Sequence, residues 1–112
     1  MMTNLLKETL DELDHKDKTE NDIQYVKYSK YEDYGLDEYY CSWEDFKEVA
    51  AKVDYYDCYG AVEILEVYIV GKDFWLERSE YDGSEWWEYK EMPHIDGIEY
   101  RKITKNEVYR YA

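Results

Sequence analysis

Apolar positions along this chain recur with a helical period in the first half and a period of two in the second. Leu5, Leu6, Leu10 and Leu13 form a stripe at helical spacing behind Thr3, a good N-cap, with Glu8, Asp11, Glu12 and Asp14 opposite. They predict a helix over about 3–15. DHKDKTEND reads as a polar loop, and Ile23 to Tyr31 alternates β-branched and aromatic residues as a strand does. Ser42 opens the next helix, over about 42–53. Asp45 stands three residues on, and Phe46, Val49, Ala50 and Val53 follow as its apolar face. Glu44, Asp45 and Glu48 load its first turns with negative charge, which suits the positive end of the helix dipole. DYYDCYG ends it, with Gly60 as a left-handed break.

Beyond Gly60 the pattern changes. AVEILEVYIV reads as a long apolar strand, Gly71-Lys72-Asp73 turns it into FWLERSEY, and Asp82-Gly83 is a strong hairpin signal before EWWEYKEM. PHIDG is a loop before IEYRKI. Thr104 with Glu107 can cap a short last helix, although Val108, Tyr109 and Tyr111 suit a strand equally. The sum is one α+β domain over 1–112. Two amino-terminal helices surround one strand, followed by an antiparallel meander of three or four strands covering 61–103.

Composition turns this fold into a question about partners. Twenty-eight acids face fourteen basic residues, giving a formal charge of −14, and the acids are interleaved with fifteen Tyr and four Trp. Acidic disordered tails are poor in aromatics, whereas this chain is 19% aromatic and 45% hydrophobic and is expected to fold and hold its carboxylates on a fixed surface. Such a charge repels nucleic acid and anionic membranes directly and speeds encounter with a basic partner. No apolar run is long enough to span a bilayer and the amino terminus lacks a signal-peptide core, so a cytoplasmic protein with Cys41 and Cys58 as reduced thiols is expected.

Catalytic and cofactor signals are missing. His15 and His94 are isolated, the cysteines lack CxxC partners, and no EF-hand, GxGxxG or P-loop occurs. The expectation is a binding protein without catalytic residues, metal or cofactor.

The acids concentrate in one place. Residues 32–57 hold nine carboxylates against Lys47 and Lys52 alone, beside several tyrosines. Arg and Lys that line phosphate-binding clefts accept carboxylates in the same fork geometry. Asp37, Glu38, Glu44, Asp45 and Glu48 therefore form a candidate phosphate-like row, with Tyr39, Tyr40 and Trp43 as contacts. A second candidate surface is Glu85, Trp86, Trp87 and Glu88, because alternation points one of the two tryptophans away from the core.

In size, charge and aromatic character the chain resembles the small acidic anti-defence proteins of bacteriophages and mobile elements, the anti-CRISPR inhibitors and antirestriction DNA mimics. Locally, FWLERSEYDGSEWWEYKEMP (Phe74 to Pro93) looks like a segment of small phage proteins of Gram-positive bacteria. The resemblance implies a host nuclease with a basic groove as partner, either a restriction nuclease or a CRISPR effector, with an RNA-guided type II effector as the first expectation. The competing expectation is a small interaction or assembly module whose acidity is incidental. The protein would be a monomer, or a homodimer through an exposed strand edge.

Overall fold

The structure, a computed structural model, describes residues 2–56, 62–93 and 96–110. Strand β1 (Met2–Asn4) leads into helix α1 (Leu5–His15), so the helix starts with the first residue of its apolar stripe, two residues later than a Thr3 cap predicts. The cap is Asn4 rather than Thr3. Its side-chain oxygen accepts from the Lys7 N–H at 3.0 Å, while its amide donates to Ala51 O at 3.1 Å and to Asp54 at 3.0 Å. Asn4 thereby ties the start of α1 to β4 (Asp54–Tyr56), the antiparallel partner of β1.

The main sheet has five antiparallel strands in the order β3-β2-β5-β6-β7. These are β2 (Ile23–Glu32), β3 (Gly35–Cys41), β5 (Val67–Gly71), β6 (Phe74–Tyr81) and β7 (Ser84–Glu91). Register aligns Cys41, Val26, Ile69, Leu76 and Tyr89 across the inner face, and Tyr40, Lys27, Tyr68, Glu77 and Glu88 across the outer one. Helix α1 and helix α2 (Trp43–Ala50) bury their apolar faces against the inner side. Leu5, Leu13, Trp43 and Ala50 join Val26, Ile69, Phe74, Leu76 and Trp87 in one core. Phe74 fills the space above Gly71, where an added Cβ would stand 2.1 Å from its ring. Asp82 and Gly83 both take positive φ, 50° and 84°, the geometry a two-residue I′ hairpin requires, and the predicted β6–β7 turn is found there.

The α+β class holds, and several details change. Strand β3 lies inside the acidic segment, so the first strand is half of a hairpin. Helix α2 is capped by Ser42 as expected, with the hydroxyl accepting from Asp45 N at 3.1 Å, but it ends at Ala50. Its inward face is Trp43, Phe46 and Ala50, while Val49 is 61% exposed. At roughly 100° per residue, Trp43 and Ala50 share a side that Val49 does not, and leaving Trp43 out of the stripe rotates the expected face. Strand β5 begins at Val67 rather than near residue 61, because the Glu63 and Ile64 N–H groups donate to the Glu85 carboxylate, at 2.8 and 3.1 Å, instead of to a ladder. IEYRKI forms no strand. The short helix α3 (Lys105–Val108) follows Thr104, whose N–H and hydroxyl both donate to Glu107. The expected Gly60 break and Cys58 lie outside the described residues.

Candidate functional site

Strand β2 is longer than its inner neighbour needs. It pairs with β5 from Ile23 only as far as Tyr28, yet it pairs with β3 out to Glu32. The far half of the β2–β3 hairpin, residues 30–38, therefore projects past the sheet, and every side chain in it is exposed. Tyr31 and Tyr34 stand at its tip, and Glu32, Asp33, Asp37 and Glu38 outnumber its single Lys30. The β2–β3 ladder continues through it, with Lys30 opposite Asp37, Tyr31 opposite Leu36 and Glu32 opposite Gly35, and this pairing holds the charges in fixed positions without a core, which lowers the ordering cost of presenting them.

Strand alternation divides the predicted row. Asp37 and Tyr39 lie on the helix-bearing side of β3, and Glu38 and Tyr40 on the outer side. Tyr39 is locked in place: its ring stacks on Tyr28 at 5.5 Å and its hydroxyl donates to Glu32 at 2.7 Å. That bond to a carboxylate pushes its pKa up to about 12. Glu38 is held by Lys27 at 3.1 Å, which raises the lysine's own pKa, and the same ammonium lies 5.3 Å from the Tyr68 ring centre. Tyr40 tilts against Tyr25 at 5.8 Å and keeps most of its surface in solvent.

On α2, Glu44 and Glu48 share one exposed face at i, i+4, and Asp45 lies one position round, at the edge of an apolar hollow of about 460 Å³. Trp43 is a correction. It is only 5% exposed, and its indole N–H donates to Glu20 at 3.0 Å inside the fold. Lys47 meets the same Glu20 at 2.6 Å, and this bond, with that from Trp43, holds the Glu20 carboxyl below the usual range. Trp43 therefore anchors α2 and offers no surface to a partner.

The second predicted surface divides in the same way. Trp86, 37% exposed, and Glu88 face outward, while Trp87, 4% exposed, and Glu85 turn into the core. Glu85 belongs to a buried ion network that the sequence reading missed. Arg78 donates to Glu8 at 2.7 Å, to the Tyr55 hydroxyl at 3.0 Å and to Glu85 at 3.2 Å, between the rings of Trp87 and Tyr55. Burial works against the guanidinium, but its bonds to Tyr55 and Glu8 outweigh that and raise its pKa. Tyr55 donates in turn to Glu8 at 2.7 Å, and burial together with that carboxylate raises the phenol's pKa. Arg78 Nε and Trp87 Nε1 are buried without a hydrogen-bond partner among the described residues. The available signal was an arginine at an inward position of a strand, a placement that demands buried acids.

Cys41 is half-buried, and burial followed by the nearby Asp45 raises its thiol pKa. Among the described residues no three His, Cys, Asp or Glu are grouped to hold a metal ion, and no helix is long and apolar enough to cross a membrane. Comparison with protein-family models, with curated proteins and with solved structures finds no match to this chain.

Proposed function

We propose that this protein is an acidic inhibitor that enters the nucleic-acid groove of a host defence nuclease, in the manner of anti-CRISPR DNA mimics. The observation that carries this reading is the projecting β2–β3 hairpin, a stiff acidic finger with tyrosines on it that no part of its own core requires. Asp37 and Glu38 on the hairpin and Glu44, Asp45 and Glu48 on the following helix supply the negative charge. Tyr40, with Tyr31 and Tyr34 at the tip, supplies exposed rings and hydroxyls, and Tyr39, stacked on Tyr28 and bonded to Glu32, braces the hairpin behind them. Rim charges accelerate association, and any carboxylate desolvated against an arginine governs dissociation. The partner class is a basic nucleic-acid-binding protein, with an RNA-guided type II nuclease first.

The test is inhibition of target-DNA cleavage by such a nuclease loaded with guide RNA, with the wild-type protein and an Asp37→Lys/Glu38→Lys/Glu44→Lys variant compared across a salt series. Inhibition by the wild type that weakens steeply with salt and disappears in the variant supports the reading. Equal inhibition by both proteins, with unchanged circular dichroism, would move the interface elsewhere. Failure to inhibit restriction nucleases or CRISPR effectors would overturn the partner class.

A further inference from the structure

The carboxyl-terminal arm differs in chemistry from the body that carries it. Residues 98–110 hold four of the chain's fourteen basic residues, Arg101, Lys102, Lys105 and Arg110, against two of its twenty-eight acids. The whole segment is exposed, including Ile98, Tyr100, Ile103, Val108 and Tyr109. Large apolar side chains at that density, left in water on a folded protein, mark a contact surface. Residues 98–104 are non-helical, and IEYRKI has the alternation and β-propensity of a strand that has found no neighbour.

The matching surface lies on the far side of the sheet from the β2–β3 hairpin. Strand β7 is a sheet edge eight residues long. Edges of that length are blunted or covered in stable proteins, because their free N–H and C=O groups recruit another strand. Beside β7 runs a groove of about 610 Å³, walled by α1 and carrying Glu8, Asp11, Glu12 and His15 along its length, with Trp86 and Trp87 opposite. Glu8 is engaged by Arg78 and Asp11 is met by Lys7 at 2.9 Å in an exposed pair, so Asp11 and Glu12 are the carboxylates within an incoming cation's reach.

We infer that two copies of the chain exchange arms. Residues 98–103 of each copy lie along β7 of the other as an added strand in the β7–α1 groove; alternation sends the neighbouring Arg101 and Lys102 to opposite faces, so Lys102 meets Asp11 and Glu12 while Arg101 keeps Glu107 of its own arm. Main-chain pairing provides the affinity, and the charge match sets the choice of groove. The exchange is isologous: the same arm and groove meet twice, which closes the assembly at two chains and covers both edges. The β2–β3 hairpins remain free at the opposite end of each sheet, so the dimer stands independently of the inhibitor reading.

Light scattering after size exclusion, on the full chain over a range of concentration and salt, reads the result directly. The wild type is expected to be dimeric at physiological salt and to dissociate as salt rises. Lys102→Glu on the arm, or Asp11→Arg/Glu12→Arg in the groove, should each weaken self-association by roughly tenfold or more. Both reversals in one chain should restore it. Ile98→Asp/Ile103→Asp should leave a monomer with unchanged circular dichroism. A wild type that stays monomeric at high concentration would overturn the exchange, including by docking of the arm on its own β7. A dimer indifferent to both reversals, or one that the combined variant fails to restore, would overturn it as well.

Discussion

Arg78 and Glu85 stand on the two strands of one hairpin, and their side chains meet at 3.2 Å with 5% and 2% of their surfaces exposed. Glu85 also accepts the N–H groups of Glu63 and Ile64, so one carboxylate shares with Glu8 the charge of a buried guanidinium and satisfies the backbone of the stretch that leads into β5. The pair is costly to split, because removing Glu85 leaves the buried guanidinium with Glu8 as its remaining carboxylate and takes the acceptor from two backbone N–H groups.

Glu85→Ala is accordingly expected to lower unfolding free energy by about 3–5 kcal/mol, read as a shift in urea midpoint. Glu8→Gln should cost less, since Glu8 is 19% exposed and water can reach its place. Equal midpoints for Glu85→Ala and wild type would mean that the network contributes nothing to stability.

Tight packing at the β5–β6 turn gives a second expectation. A methyl group on Gly71 would collide with the Phe74 ring at 2.1 Å, and Phe74 is itself in the core, so neither side can yield freely. Gly71→Ala should destabilise by about 1–3 kcal/mol, the usual cost of overpacking. Gly71→Ala combined with Phe74→Leu should recover part of that loss. A single variant as stable as wild type would show that the ring swings aside.

These two sites illustrate what the sequence made legible. Local signals were readable: the Ser42 cap, the Asp82-Gly83 turn, the Thr104–Glu107 cap, and the opposite facing of Trp86 and Trp87 all follow from neighbours a few residues apart. Long-range choices were not. Nothing near Glu63 shows that its N–H will donate to Glu85 in place of a strand partner, and nothing in EDYGLDEYYC outweighs its charge to mark a strand. Trp43 was misplaced because an aromatic among acids suits either a contact or a core, and only its bond to Glu20, twenty-three residues away, decides between them.

Glu20 also sets an acid limit. Its folded-state pKa lies below the ordinary 4.5, chiefly through the bond from Lys47 and then that from Trp43. The unfolded chain therefore takes up this proton at higher pH than the folded one, and the stability gained is present above 4.5 and lost as pH falls through the folded value. Thermal melts between pH 6 and pH 3 should show a shallower decline for Glu20→Gln than for wild type. Parallel declines would remove Glu20 from the acid transition.

The tyrosines set the opposite limit. Tyr39 and Tyr89 have pKa values raised from 10.0 to about 12, Tyr39 first by its bond to Glu32 and Tyr89 first by burial, and Tyr55 is raised by burial beside Glu8. Between the unfolded and folded values the unfolded phenols lose protons that the folded ones keep, so stability is intact below about pH 10 and falls as pH climbs toward the folded values. Urea midpoints from pH 8 to pH 12 should decline beyond about pH 10, in step with delayed phenolate absorbance. Tyr55→Phe tests the buried contribution: it removes one phenol from the titration and leaves Glu8 with Arg78 alone, so its midpoint should start lower at pH 8 and fall less steeply. An equally steep alkaline fall in Tyr55→Phe would place the alkaline transition in other groups and leave Tyr55 as a packing residue.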